Sequence, residues 1–179
     1  LHARTDLQVL RARAVDELET WAEDQPRERQ APWYSEKVSQ AMTHLLVREQ
    51  LSPAERHEAA LVRLAGVARL CELGVARIDG GNALRTGRAL RTLAATRAFY
   101  ERDLGALLAP WRDPGDEEAA ERASAAIGAA VAAMRQLEAH LEAVLPGLPD
   151  DPSIGAGVYA AKLARRSGEG LTPDRLRRE

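Results

Sequence analysis

Cysteine and aromatic residues are scarce in this sequence. Cys71 is the single cysteine among the 179 residues, which excludes a disulfide within the chain and a fold held together by such bridges. Aromatic residues make up only 4% of the chain, so a core must consist mainly of Leu, Val and Ala. Helices lined with alanine can approach one another closely. A lone cysteine within an apolar helix is typical of a small core residue, and we expect Cys71 to have that role.

An excess of positive charge and long apolar runs are also missing. The formal net charge is -2, whereas chains that coat nucleic acid or an anionic membrane are usually basic. No segment approaches the roughly 20 apolar residues that span a bilayer. The opening residues, LHARTDLQVL, lack the apolar run of a secretory signal. These absences predict a cytoplasmic protein without a membrane partner, and the preference for Arg over Lys is typical of a GC-rich bacterial genome.

Strand-like patterns are absent too, because no alternation of apolar and polar residues is long enough for a β-strand. Apolar residues instead recur three and four positions apart, which predicts helices over about 5–24, 35–50, 53–73, 82–109 and 116–145. Ser52-Pro53-Ala54-Glu55 fits a capping box with proline at the first helical position. Asn82 and Asp116 are predicted to cap the next two helices, and Gly74 is expected to end the third.

The predicted fold is all-α, an antiparallel helical bundle of about five main helices with a short C-terminal helical segment. Residues 1–147 are predicted to form the bundle, and residues 148–179 a loop and a short helical extension of the same domain. The boundary follows from the segment PGLPDDPS, whose prolines end the preceding helix. Short loops at 50–52 and 110–116 favour antiparallel neighbours.

One helical segment, Ala123–Met134, carries no charge at all and reads ASAAIGAAVAAM. A helix that is uncharged on every side for three turns is typical of one surrounded by protein. The helix over 53–73 is also apolar on several sides. We therefore expect these two helices to pack together at the centre of the bundle.

Residues that could support catalysis or bind a metal do not form a recognisable arrangement. A di-iron site in a bundle needs Glu-x-x-His pairs on two helices, and no such pair occurs around the histidines, which are His2, His44, His57 and His140. No serine lies in a Gly-x-Ser-x-Gly turn. The sequence therefore nominates no catalytic residue, no metal ligand and no cofactor, and each histidine is expected to be a structural or surface residue.

A row of arginines on the helix predicted over 82–109 is the one candidate site. Arg85, Arg88 and Arg91 follow one another at steps of three, and no acidic residue lies three or four positions from any of them. Gly81 lies just before the helix, where approachable backbone N–H groups could bind an anion. These residues, Gly81, Arg85, Arg88 and Arg91, form a candidate anion or nucleic-acid site. The alternative is a solvated face or pairing with acids of another helix.

Three classes of function are compatible with this sequence. The first is a non-enzymatic interaction or regulatory protein that associates with itself or with another helical protein. It is favoured because the sequence contains no recognisable catalytic or metal-binding arrangement and has an alanine-rich seam. Ala130→Glu tests whether that seam lies between subunits or in the core of the monomer. The second is binding of nucleic acid or another polyanion through the arginine row. The third is an enzyme or small-molecule binder with a pocket between helices, for which the sequence nominates no residue.

Overall fold

The computed structural model describes residues 30–47 and 50–150 continuously, with individual residues between 7 and 18 and between 157 and 163. The chain divides into two compact units, one of Arg27–Asp151 and one of the terminal segments Leu1–Pro26 and Pro152–Glu179. The described residues of the terminal segments are helical. No strand occurs in the described part of the chain, so the all-α prediction is confirmed. The predicted domain boundary at 147/148 stays a prediction.

The unit of Arg27–Asp151 is built from six α-helices and three shorter helical turns among its described residues. The α-helices are α1 (Ala31–Gln40), α2 (Thr43–Val47), α3 (Pro53–Arg77), α4 (Ala83–Phe99), α5 (Gly105–Leu108) and α6 (Glu117–Val144). A π-helical turn (Tyr100–Leu104) joins α4 to α5, and 3-10 turns follow α5 (Ala109–Trp111) and α6 (Leu145–Gly147). No helix in the described residues is both long and apolar enough to cross a membrane.

The predicted helix starts of α3, α4 and α6 are confirmed by their capping hydrogen bonds. At α3, the Ser52 hydroxyl accepts from the Glu55 N–H (3.3 Å), and the Glu55 carboxylate accepts from the Ser52 N–H (2.9 Å). The hydrogen bonds from the side chain and backbone of Ser52 lower the pKa of Glu55. Asn82 accepts from the N–H of the third residue of α4, and Asp116 from that of α6.

Several predicted helix ends are wrong. The helix predicted over 82–109 ends as an α-helix at Phe99, where the backbone changes to the π-helical turn of Tyr100–Leu104. The helix expected to begin at Ser35 begins at Ala31. Pro32 is tolerated in its first turn, because an N–H group at that position would have no hydrogen-bond partner within the helix. It ends at Gln40 rather than near Gln50, because the carbonyl of Ala41 accepts a hydrogen bond from Arg63 of α3 (2.7 Å).

Gly74 does not end α3 but lies buried within it, and the helix continues to Arg77. A Cβ atom at Gly74 would lie 2.9 Å from Cδ1 of Leu137 and 3.2 Å from Cδ1 of Tyr34. The glycine therefore serves close packing of α3 against α6 and α1, which outweighs its weak helix propensity.

The helices α3 and α6 pack along most of their length and run parallel, as two contacts show. Near their N-termini, Arg122 Nη2 donates to Glu58 Oε1 (2.9 Å). At their C-terminal ends, His140 Nε2 donates to the carbonyl of Ile78 (2.6 Å). Buried side chains of both helices fill the space between them, including Leu64, Val67, Cys71, Ala130, Met134, Leu137 and Leu141.

The helix α4 runs antiparallel to α6 and is held to it by a network of ion pairs. Arg97 Nε lies 3.0 Å from Glu138 Oε2, and Arg135 Nη2 lies 2.7 Å from Glu101 Oε1. Arg97 also pairs with Glu101, one turn further along the chain (3.1 Å). Together with the antiparallel packing of α1 on α3, this gives a bundle in which consecutive long helices alternate in direction.

The uncharged segment Ala123–Met134 is not surrounded by protein in the described part of the chain, so this expectation is wrong. Ala123, Ala130, Val131, Ala133 and Met134 are buried, and Ala130 is 0% exposed. The opposite side of the helix is exposed at Ser124, Ala125, Gly128, Ala129 and Ala132. Among the described helices, α3 and α4 cover one side of α6, and the residues on its other side are exposed.

Candidate functional site

The arginine row lies on the solvent-facing side of α4. Arg85, Arg88 and Arg91 are exposed, whereas Ala89 and Leu93 on the other side of the helix are buried. None of the three guanidinium groups forms an ion pair or a side-chain hydrogen bond with a residue that the structure describes. The row is therefore available to an external anion, but it lines neither of the two clefts described below.

The backbone at the start of α4 is less open than the sequence indicates. The Ala83 N–H donates to the carbonyl of Pro149 (3.0 Å), and the Arg85 N–H donates to Asn82 Oδ1 (3.1 Å). Gly81 is exposed and has φ 138°, a left-handed backbone that favours glycine. Two of the N–H groups that an anion would use are thus occupied, so Gly81 does not introduce an open helix start.

The exposed side of α6 is the second candidate, and we call it the alanine face. It consists of Ser124, Ala125, Gly128, Ala129 and Ala132. A Cβ atom added at Gly128 would meet nothing within 4 Å, so the middle of the face is open. Charged residues lie at both ends, with Glu121 before the face and Arg135 after it.

A small cleft borders the alanine face. Its volume is about 230 Å³, and its walls include Tyr100, Gly105, Ala120, Ser124 and Ile127. The Tyr100 hydroxyl is buried and has no hydrogen-bond partner among the described residues. Burial, with a contribution from Cys71, raises the pKa of Tyr100. Tyr100 also begins the π-helical turn, a feature found frequently at functional sites.

A larger cleft lies at the N-terminal ends of α3 and α6, and we call it the Trp111 cleft. Its volume is about 600 Å³, within the range of small-molecule sites. Its walls are the first turns of α3, residues 109–116, and Ala119 and Arg122 of α6. Trp111 is 9% exposed, and the guanidinium carbon of Arg56 lies 5.8 Å from the centre of its ring.

His57 is the residue in the Trp111 cleft that sequence reasoning missed. It is 3% exposed, and its Nε2 has no hydrogen-bond partner among the described residues. A buried polar atom without a partner costs about 1–3 kcal/mol, so the structural role expected of His57 does not account for its Nε2. The sequence feature that could have pointed to His57 is its position on the apolar side of α3. Only tertiary contacts, however, show which of its polar atoms lack a partner among the described residues.

Metal ligands do not converge in the described residues, where no group of three His, Cys, Asp or Glu side chains could hold a metal ion. His140 is engaged with the carbonyl of Ile78, and His44 is exposed on α2. His2 lies outside the described residues. Cys71 is buried in the core, as expected, and burial, followed by Glu138 and Glu72, raises its pKa to about 12.

Comparison with known proteins places the chain in one family. The chain belongs to the family described as "Bacterial protein of unknown function (DUF885)", which matches residues 1–178. No curated protein and no solved structure gave a significant match. The family is bacterial, in agreement with the composition, and its description assigns no activity or partner.

Proposed function

We propose that this member of the DUF885 family is a non-enzymatic, regulatory interaction protein of the cytoplasm that self-associates through the alanine face of α6. The observation that supports the proposal is an exposed face of small residues without charge in a chain of which 29% is charged. A solvated helix face normally carries charged or large polar side chains. Small side chains instead permit a second helix to approach to about 8 Å between axes.

The order of residues along α6 favours a second copy of the chain as the partner. Ser124 and Ala132 each lie four residues from Gly128, and Glu121 and Arg135 each lie seven residues from it. Two α6 helices that cross antiparallel on a two-fold axis at Gly128 therefore bring small residues together. The same pairing sets Glu121 of each copy beside Arg135 of the other, so opposite charges meet at both ends of the interface.

A charge-reversal experiment tests this pairing. Glu121→Arg or Arg135→Glu alone places like charges opposite each other twice in the dimer, and we expect each variant to raise the dimer dissociation constant about tenfold. Because Arg135→Glu also removes the pair with Glu101, urea denaturation of each variant checks that the monomer fold is retained. The double variant restores opposite charges and should recover most of the affinity. Sedimentation equilibrium or sizing with light scattering measures the dissociation constant.

The control for this experiment is Ala95→Glu, which adds a charge at an exposed alanine of α4 and should leave association unchanged. Ala130→Glu is unsuitable, because Ala130 is fully buried and its substitution would unfold the monomer. A wild-type chain that is monomeric at high concentration would contradict self-association. A double variant that associates no better than the single variants would contradict the antiparallel pairing.

A second candidate function is binding of nucleic acid or another polyanion. It is favoured by the exposed guanidinium groups of Arg85, Arg88 and Arg91, which form no ion pair with a described residue. Replacing all three with Gln should abolish a salt-sensitive fluorescence anisotropy change of labelled DNA or RNA. Replacing three exposed arginines elsewhere, Arg11, Arg69 and Arg102, changes the net charge equally and should retain most of the binding. Absence of wild-type binding at low salt would end this hypothesis.

A further inference from the structure

The helix α3 also exposes apolar and small residues. Val62, Ala65 and Gly66 are all exposed. Val62 is 73% exposed, more than any other large apolar residue of α3. A Cβ atom at Gly66 would meet nothing within 4 Å, so this surface is open among the described residues. A large apolar side chain in water gains free energy when another surface covers it.

This part of α3 lies beside the alanine face. Glu58 of α3 pairs with Arg122 of α6 (2.9 Å). Val62 and Ala65 follow Glu58 by four and seven residues, so they lie on the same side of α3 as this contact. Gly128, at the centre of the alanine face, follows Arg122 by six residues, and the two helices run parallel. Ala65 and Gly128 are therefore at nearly the same height, and the two exposed surfaces adjoin.

A stable dimer needs more contact area than the alanine face offers. Specific dimers bury on the order of 800 Å² on each partner. The five residues of the alanine face are alanine, glycine and serine, whose side chains extend at most two atoms beyond the backbone. The adjoining surface of α3 supplies further area, and Val62 gives it a larger apolar side chain.

The symmetry of the proposed dimer determines what covers this part of α3. A two-fold axis that relates two antiparallel α6 helices runs between them and perpendicular to their length. An element on one flank of α6 therefore faces the same element of the other copy. Because α3 flanks α6, it meets α3 of the other copy, with Ala65 near the axis and Val62 about one turn from it.

Charged residues flank this apolar part of α3 in an arrangement that permits the pairing. Glu58 and Glu72 each lie seven residues from Ala65, so Glu58 of one copy comes near Glu72 of the other. Arg122 already pairs with Glu58, and Arg69 is exposed one turn before Glu72. Positive charges therefore accompany both carboxylates, and the two copies of α3 approach without repulsion between unbalanced charges.

We propose that α3 forms the second half of the self-association surface, where Val62 is the main apolar contact with α3 of a second copy of this chain. This inference rests on the proposed function, because it takes the antiparallel pairing of α6 as its starting point. It adds that each copy contributes two helices to the interface.

Val62→Asp tests the proposal, because it places a charge against the apolar surface of the other copy twice in each dimer. We expect it to raise the dimer dissociation constant at least tenfold in sedimentation equilibrium. The matched control is Val47→Asp, since Val47 is 74% exposed on α2, and this variant should associate like the wild type. Val62→Ala removes two methyl groups and favours the helix, so it should weaken association about threefold without loss of the fold.

Urea denaturation of each variant checks that the monomer is folded. If Val62→Asp and Val62→Ala both associate like the wild type, or if Val47→Asp weakens association as much as Val62→Asp, the role of α3 is overturned. The pairing of α6 then still stands if Glu121→Arg weakens the dimer. A wild-type chain that stays monomeric at high concentration overturns both the proposed function and its extension to α3.

Discussion

At the scale of single residues, Cys71, Tyr100 and His57 each bury a polar or titratable group in the described core, which also contains Ser35 and Thr86. Cys71 is 0% exposed and behaves as the small core residue that the sequence predicts. Tyr100 and His57 each bury a polar atom without a partner among the described residues. Such atoms are candidates for ligand or partner contacts, because a new hydrogen bond would recover the free energy that their burial costs.

The raised pKa of Cys71 leads to a prediction about its reactivity. Burial, with Glu138 and Glu72, raises the pKa from 9.0 to about 12, so the thiol stays protonated in the folded chain at pH 8. The reactive species is the thiolate. We expect Cys71 to react with 5,5′-dithiobis(2-nitrobenzoic acid) at least a hundredfold more slowly in the native chain than in guanidinium chloride. Rapid labelling of the native chain would show that the thiol is accessible.

The raised pKa of Cys71 also determines whether the free energy of unfolding rises or falls with pH. The pKa is higher in the folded chain than in the unfolded chain, so the contribution of Cys71 is complete below pH 9. It is lost as the pH rises from 9 toward 12, because the unfolded chain then releases a proton that the folded chain retains. The buried Tyr100, whose pKa is also raised, acts in the same direction.

At the scale of elements, α3 contains two glycines in opposite environments. Gly66 is exposed, and a Cβ atom there would meet nothing within 4 Å. Gly74 is buried, and a Cβ atom there would lie 2.9 Å from a fully buried methyl group of Leu137. Both residues have the same poor helix propensity, so any difference between the stability effects of substituting them with alanine reports the effect of packing.

Replacing each glycine with alanine should change stability in opposite directions. We expect Gly66→Ala to raise the free energy of unfolding by about 0.5–1 kcal/mol, because alanine favours the helix. We expect Gly74→Ala to lower it by about 1–3 kcal/mol, because the added methyl group displaces Leu137 and Tyr34. Urea denaturation followed by circular dichroism measures both. Equal stabilisation by the two substitutions would contradict the close approach at Gly74.

At the scale of the whole described bundle, the pairing of helices decides which surfaces stay open. The parallel packing of α3 on α6 and the antiparallel packing of α4 on α6 bury one side of α6 and leave the alanine face exposed. At one end of the bundle, the carbonyl of Pro149 accepts from Asn82 and Ala83 and closes the start of α4. The candidate surfaces thus follow from which helix contacts which, rather than from any single motif.

Much of the secondary structure could be predicted from patterns of neighbouring residues. The starts of α3, α4 and α6 and the caps at Ser52, Asn82 and Asp116 were predictable, because capping depends on side chains within three residues of the helix start. The sequence did not decide whether the arginine row is exposed, because acids of another helix could equally have paired with it, and only the packing of α4 places the row at the surface. The interruption at Ala41 was not predictable, because it depends on Arg63, 22 residues away.

The helical class of this protein, the starts of the long helices α3, α4 and α6, and the place of Cys71 in the core all follow from the sequence alone. Three features required the folded chain: Gly74 is a packing contact rather than a helix end, Nε2 of His57 has no hydrogen-bond partner among the described residues, and five of the twelve residues of Ala123–Met134 are exposed. Helix caps and the periodicity of apolar residues depend on positions a few residues apart. Burial and hydrogen-bond satisfaction depend on neighbours that folding brings together from distant parts of the chain.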